Sequence, residues 1–221
     1  MNIIGIIPAR MQSTRLPGKS MKKIHTIPMV GHVYFRSKLS KILKEVYVAT
    51  CDNKIKKYIE SINGKVVMTS KNHERAVDRT AEALQKIEKK IKKKIDLVAM
   101  IQGDEPLLEP KMIYQVVNAF RTNKKIKVSN LYTQLEKSKE INDPNRVKVV
   151  LDNNSNAVYF SREKISSRKI KNKFIYYKQG NVFCFSREAI KYFVNLKSSI
   201  LEKVESVDMN RLIENRYKIK M

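Results

Sequence analysis

Arg10, Arg15 and Lys19 fall in one short segment, Pro8-Ala9-Arg10-Met11-Gln12-Ser13-Thr14-Arg15-Leu16-Pro17-Gly18-Lys19, which also holds the hydroxyls of Ser13 and Thr14 and the turn pair Pro17-Gly18. Such a segment can bind a polyphosphate: the cations neutralise charge while hydroxyls and backbone N–H groups donate to phosphate oxygens. It is not a Walker A loop, because the spaced glycines and the Gly-Lys-Ser/Thr ending are missing. A basic surface turn has the same composition, so the loop alone leaves both readings open. The second group is Gln102-Gly103-Asp104-Glu105-Pro106. Magnesium bound with a nucleotide uses one or two carboxylates plus phosphate oxygens, which suits Asp104, although an aspartate here can equally cap a helix or a turn. Gln102 can face the same crevice, and Glu105, next to the stiff Pro106, reads as a structural neighbour. In the third group, Arg79 can bind an anion with Asp78 orienting it, or the two form a surface ion pair at a helix start. His25, His32 and His73 make no metal-ligand spacing, and no nucleophile elbow or catalytic triad is visible.

The elements that must position these groups alternate. Ile3 to Ile7 is apolar, β-branched and closed by Pro8, the pattern of a buried parallel strand. A loop at the carboxyl end of such a strand is where open α/β sheets bind ligands. A helix follows over Met29 to Leu43, with Val30, Val33, Tyr34 and Leu39 inward. Then come a strand at Val46–Thr50, a helix from Asn53 to Ile62 capped by Asp52 and ended by Asn63-Gly64, and a short strand at Lys65–Met68. A helix at Ala76–Ile91, a strand at Asp96–Ile101, a helix opened by Pro110 and a strand at Lys127–Tyr132 complete the alternation. Arg146–Leu151 and Ala157–Phe160 flank a polar turn and read as a hairpin, with an exposed basic loop over Ile165–Lys173. A long strand at Tyr176–Phe185, a helix capped by Ser186 and a last helix over Ile200–Asn215 follow. The fold class is therefore α/β: a mostly parallel sheet flanked by helices, in a single domain over 1–221, with an inserted hairpin arm at about 143–175 that would serve dimerisation.

Composition narrows the classes. A chain of 221 residues with 42% hydrophobic content can bury a core and is not disordered. No apolar run has the length of a membrane span and no leader pattern opens the chain, so the expectation is a cytoplasmic protein without a membrane partner. Cys51 and Cys184 form no redox or metal motif. The net charge of +25 admits two readings. One is nucleic-acid binding, against which stand the absence of aromatic interleaving and of known motifs. The other is lysine spread over solvated faces, as in Lys86–Lys94, whose isoleucines keep helical spacing.

Taken together these segments resemble the cytidylyltransferases that activate acidic sugars, and within them the 3-deoxy-manno-octulosonate (Kdo) cytidylyltransferase family. The likeness spans nearly the whole chain. Pro8 through Lys19 resembles that family's nucleotide loop; Met68-Thr69, His73, Asp78-Arg79 and Ala81-Glu82-Ala83 match a second block in part; Gln102 to Pro106 matches fully. Asp143 to Val150, Tyr159-Phe160-Ser161-Arg162, Leu201 to Glu205 and Glu214 to Ile219 resemble later segments. The resemblance implies a nucleotide-diphospho-sugar transferase fold, a homodimer, and CMP transfer from CTP to a 2-keto sugar acid with magnesium as cofactor. It implies that Arg10 and Lys19 meet the charge on the phosphates and that Asp104 holds the metal. Ala9, Ser13, Arg15 and Arg79 would serve the nucleotide, and Gln102, Arg162, Gln179, Glu205 and Asp208 the sugar.

The departures are local. Arg75-Ala76-Val77 stands where the family shows Ser-Gly-Thr, Gln179 where it shows histidine, and Val207-Asp208-Met209 where it shows Leu-Glu-Gln. The late changes fall in the implied sugar pocket, so the acceptor stands between Kdo, its 8-amino analogue and sialic-acid-type sugars. The family also carries a second metal-ligand aspartate in a Val-Asp-Thr-Pro-like segment after its last helix. The 221 residues reach Met221 before such a segment, and Glu205 and Asp208 are the candidates to compensate.

Overall fold

The computed structural model describes residues 1–13, 16–166 and 174–221. Strand β1 (Ile3–Pro8) leads through a 3-10 turn (Lys19–Met21) and a small hairpin, β2 (Lys23–Ile24) and β3 (Ile27–Pro28), into helix α1 (Met29–Lys38). Then follow β4 (Glu45–Thr50), α2 (Asn53–Ser61), β5 (Lys65–Met68), α3 (Ala76–Ile91), β6 (Leu97–Ile101) and α4 (Pro110–Thr122). The remainder holds β7 (Val128–Leu135), α5 (Ser138–Ile141), β8 (Lys148–Leu151), β9 (Ala157–Ser161), β10 (Tyr176–Ser186), α6 (Arg187–Asn195), α7 (Ile200–Glu205) and α8 (Met209–Glu214).

The main sheet runs β5-β4-β1-β6-β10-β8-β9, with β7 also paired to β10. β5, β4, β1 and β6 are parallel, and β10 enters antiparallel against β6. Strand alternation sorts the core into two layers. Ile3 and Ile7 of β1, with Ala99 and Ile101 of β6, face the side packed by α1, α2 and α4. Ile4 and Ile6, with Val98 and Met100, face the side packed by α3, α6 and α8. α3 supplies Val77, Ala81, Leu84 and Ile87 to that second layer, an i, i+4, i+7 stripe that explains why this segment is helical despite its many lysines.

Most expected elements stand, with physical reasons for the exceptions. α1 stops at Lys38, because the Leu39 N–H turns back to the carbonyls of Arg36 and Ser37; Leu39 is therefore 67% exposed, not an inner position. Asp52 precedes α2 but makes no side-chain cap; its Oδ2 accepts the Met11 N–H instead (2.8 Å). The last helix is two. Ser206 sits in the left-handed region (φ 51°) after α7, whose start carries a Ser199–Glu202 capping box, and α8 begins again at Met209. Ser186 caps α6 by accepting the Ala189 N–H. The expected hairpin is β8–β9. It joins the end of the main sheet through Val149 and Lys148 against Tyr177 and Lys178, and Phe160 of β9 is fully buried in the core. The loop expected over Ile165–Lys173 lies from residue 167 onward outside the described residues, as does Arg15.

Candidate active site

β1 and β6 are neighbours in parallel, so their carboxyl ends open on the same side of the sheet. Gly103 makes the approach close: a Cβ there would lie 2.8 Å from the Pro8 carbonyl oxygen. The loop after β1 is folded on itself. The Gly18 N–H donates to Met11 O (3.0 Å) and Ser20 Oγ donates to Arg10 O (3.0 Å). Gly18 takes φ 71°, which only a residue without Cβ adopts cheaply. The Asp52 carboxylate at the end of β4 anchors the same loop through Met11. As a result Lys19 Nζ reaches Asp104 Oδ2 at 2.5 Å across the mouth of the sheet.

These groups line a cavity of about 860 Å³, whose walls include Ala9, Arg10, Ser13, Lys19, Arg79, Gln102 and Asp104. Arg79 is only 2% exposed, and its hydrogen bonds go to Thr69 Oγ1 and to the carbonyls of Ser70 and His73. No carboxylate pairs with it among the described residues, so a buried guanidinium charge stands at the cavity wall balanced by neutral oxygens alone. This corrects the expected partnership with Asp78, which faces Arg211 instead (3.5 Å). Arg10 reaches across to the His73 carbonyl (3.5 Å), tying the first loop to the segment before α3.

Four residues expected at the sugar lie outside the cavity lining. The Arg162 side chain donates to the carbonyls of Glu205 (2.7 Å) and Pro144 (3.0 Å). The Glu205 carboxylate accepts from Tyr159 (2.8 Å), Ser161 (3.0 Å) and the Arg162 N–H (2.6 Å), so it holds β9 to α7. Gln179 lies in β10 opposite Tyr132 with its Nε2 buried and unpartnered, and its backbone N–H donates to Val147 O. Asp208 lies beside Arg75 (3.8 Å), and burial pushes its carboxyl up to about 6 despite that cation.

Sequence reasoning missed four contributors. Arg75 and Ser206 both line the cavity and are joined by a 3.2 Å hydrogen bond, so the α7–α8 break forms part of its wall. Asp52 carried a signal, since it follows β4 just as Asp104 follows β6. Glu82 supports the site from behind: the Ser70 N–H (2.8 Å), Lys86 (2.7 Å) and His73 (2.5 Å) all meet its carboxylate. Burial pushes its pKa up, but these donors outweigh burial and hold it at about 2, against an ordinary 4.5. A carboxylate depressed by folding stabilises the fold above its unfolded pKa, and that contribution fades as pH falls through the folded value. Glu82→Gln should therefore cost about 2 kcal/mol at pH 7, with the gap from the natural chain closing between roughly pH 4.5 and 2. Urea unfolding at a series of pH values measures it; a gap independent of pH would show that charge is not the cause.

A parallel sheet with a cationic loop after its first strand and a carboxylate after an adjacent one forms the ligand crevice of an open α/β fold, with charge suited to a phosphorylated ligand. Comparison with known proteins sharpens this. The cytidylyltransferase family model matches residues 4–219. The chain is 40% identical to the 8-amino-3,8-dideoxy-manno-octulosonate cytidylyltransferase of Shewanella pealeana, covering 100% of this chain and 89% of that protein. It is 38% identical to the 3-deoxy-manno-octulosonate cytidylyltransferase of Fusobacterium nucleatum, covering 100% and 88%. The structure of a CMP:2-keto-3-deoxy-manno-octonic acid synthetase complexed with CTP superposes with a TM-score of 0.90 at 31% identity, covering 100% of this chain and 88% of that one. The chain belongs to the cytidylyltransferase family.

Proposed function

We propose that this protein transfers CMP from CTP to the anomeric hydroxyl of an acidic eight-carbon 2-keto sugar, Kdo or its 8-amino analogue, releasing pyrophosphate. The observation that carries it is the convergence of Arg10, Lys19 and Asp104, from the ends of two adjacent parallel strands, on one large cavity. Relatives of both names match over the full chain at nearly equal identity, which supports the sugar class without choosing between its members.

In the reaction a bond forms between the anomeric oxygen and the α-phosphorus while the bond to pyrophosphate breaks and the hydroxyl proton passes to solvent. Charge grows on the phosphate oxygens and the leaving group, and this chain meets it with Lys19 and Arg10, held in place by the loop's own hydrogen bonds. Arg79 adds a fixed, desolvated positive charge at the wall. No protein nucleophile is required, because positioning and electrostatics carry such transfers. Asp104 fits magnesium: it is a hard oxygen donor with its side chain 44% exposed, Lys19 occupies only Oδ2, and phosphates would complete the shell. Bound there, the ion would withdraw electron density from the phosphate oxygens. Gln102 lines the cavity wall, which supports a role toward the acceptor.

The same reading includes a homodimer formed on the hairpin side. Its support is a set of exposed apolar side chains there, Tyr132, Val158, Phe174 and Ile175, with Tyr132 and Phe174 packed edge-on against Tyr177 and Tyr176. The test of function is a pyrophosphate-release assay with Kdo, 8-amino-Kdo and a sialic acid. Release should need CTP, magnesium and one of the octulosonates together. Folded protein that binds CTP but turns over none of these sugars would refute the proposal.

A further inference from the structure

We propose that the pole of the molecule opposite the cavity is a docking face for an anionic lipid bilayer. Three connections return the chain from helix to strand at that pole: residues 39–44 after α1, 92–96 after α3 and 123–127 after α4. They carry exposed lysines at 41, 44, 92, 93, 94, 124 and 125. None of these seven ammonium groups is within ion-pair distance of a carboxylate among the described residues. Asp96 is the single acid in the three connections, and its carboxylate is engaged by the Asn2 N–H (2.6 Å).

Hydrogen bonds to the backbone show that the connections form one continuous rim. The Lys44 N–H donates to Ile3 O, Asn2 Nδ2 to Lys94 O, the Arg187 N–H to Asp96 O and the Ser186 N–H to Lys127 O. The row crosses the ends of β4, β1, β6, β10 and β7, which at ordinary strand spacing is about 19 Å. The fold thus gathers into one face lysines that lie far apart in the sequence. Strand β1 separates this rim from the cavity by its full length, about 17 Å, so a surface seated on the rim leaves the cavity open.

The chemistry selects the partner. The three connections contain lysine but no arginine and no aromatic residue, so they offer neither bidentate forks nor stacking platforms to a nucleic acid. Compact ammonium charges on flexible stems suit a diffuse sheet of headgroup phosphates. Leu39, 67% exposed beside Lys41, supplies an apolar side chain at the same face to enter the interfacial layer.

The experiment is vesicle flotation of the full chain with phosphatidylcholine vesicles containing about a third phosphatidylglycerol, beside pure phosphatidylcholine, at about 0.1 M salt. Binding should require the anionic lipid and weaken as salt rises. A variant with Lys92, Lys93, Lys94, Lys124 and Lys125 changed to glutamine should lose binding, by roughly fivefold per lysine. A control with Lys54, Lys57, Lys111, Lys137 and Lys139 changed to glutamine carries the same net charge and should keep binding. CTP-dependent thermal stabilisation of both variants verifies the fold. Three results would each overturn the proposal: no binding to anionic vesicles, equal loss in both variants, or tighter binding of a short single-stranded RNA than of vesicles at the same salt.

Discussion

Lys19→Ala should lower turnover roughly a hundredfold, with kcat and kcat/KM falling together. The side chain sits on the cavity, 2.5 Å from Asp104, on a loop fastened by Gly18, Ser20 and Asp52. A charge fixed in advance costs nothing to reorganise when negative charge grows on the phosphates, and losing one such group typically raises a barrier by about 3 kcal/mol. Because the cation acts where charge develops, CTP affinity should change far less than rate. Pyrophosphate release at saturating CTP and acceptor, with CTP binding measured separately by thermal shift, distinguishes the two. Unchanged turnover would remove Lys19 from the reaction.

Glu202→Ala should cost about 3–5 kcal/mol of stability, a large share of what a domain of this size has. The Glu202 side chain is fully buried and takes two hydrogen bonds from Arg211 (2.7 and 2.6 Å), one from Ser198 and an ion pair from Arg75 (3.2 Å). Burial opposes its charge, but Arg211 and Ser198 outweigh burial and keep its carboxyl below the ordinary value. Removing it strands Arg211, itself 5% exposed, without its main counter-charge. The double change Glu202→Leu with Arg211→Met removes both charges and should recover part of the loss, since a paired apolar replacement leaves no uncompensated ion from this pair. Denaturant midpoints of Glu202→Leu, Arg211→Met and the double change measure the coupling. Simple additivity would mean that the pair does not act as a unit.

The parallel half of the fold was legible because its signals are local. Apolar β-branched runs gave β1, β4 and β6, and the apolar stripe of α3 gave its bounds at Ala76–Ile91. That Arg10, Lys19 and Asp104 would share one crevice was legible too, because loops that follow adjacent parallel strands open on the same side of the sheet. The break between α7 and α8 was not, since Ser206 takes a left-handed conformation with neither glycine nor proline to announce it. Nor were the partners of Arg162 and Glu205 legible. Both residues satisfy groups brought together only by the docking of α7 on β9; the family resemblance implied a place for them at the sugar, and their hydrogen bonds here fasten β9 to α7. Arg79 shows the converse: its neighbour Asp78 looked like its partner, but successive residues on a helix point apart, and each found another.

The reversal of strand direction at β10 divides the molecule in a way that bears on its history. The strands on one side, β5, β4, β1 and β6, carry the loop and carboxylate that line the cavity; those on the other, β10, β7, β8 and β9, are antiparallel neighbours, with β8 and β9 joined by a turn at 152–156. Turns between antiparallel strands can lengthen or shorten without disturbing a parallel register set by crossover helices. Descendants of such a chain can therefore exchange one half's surface by small insertions while inheriting the other half unchanged. An ancestral donor chemistry can in this way pass intact through lineages that settle on different acceptors.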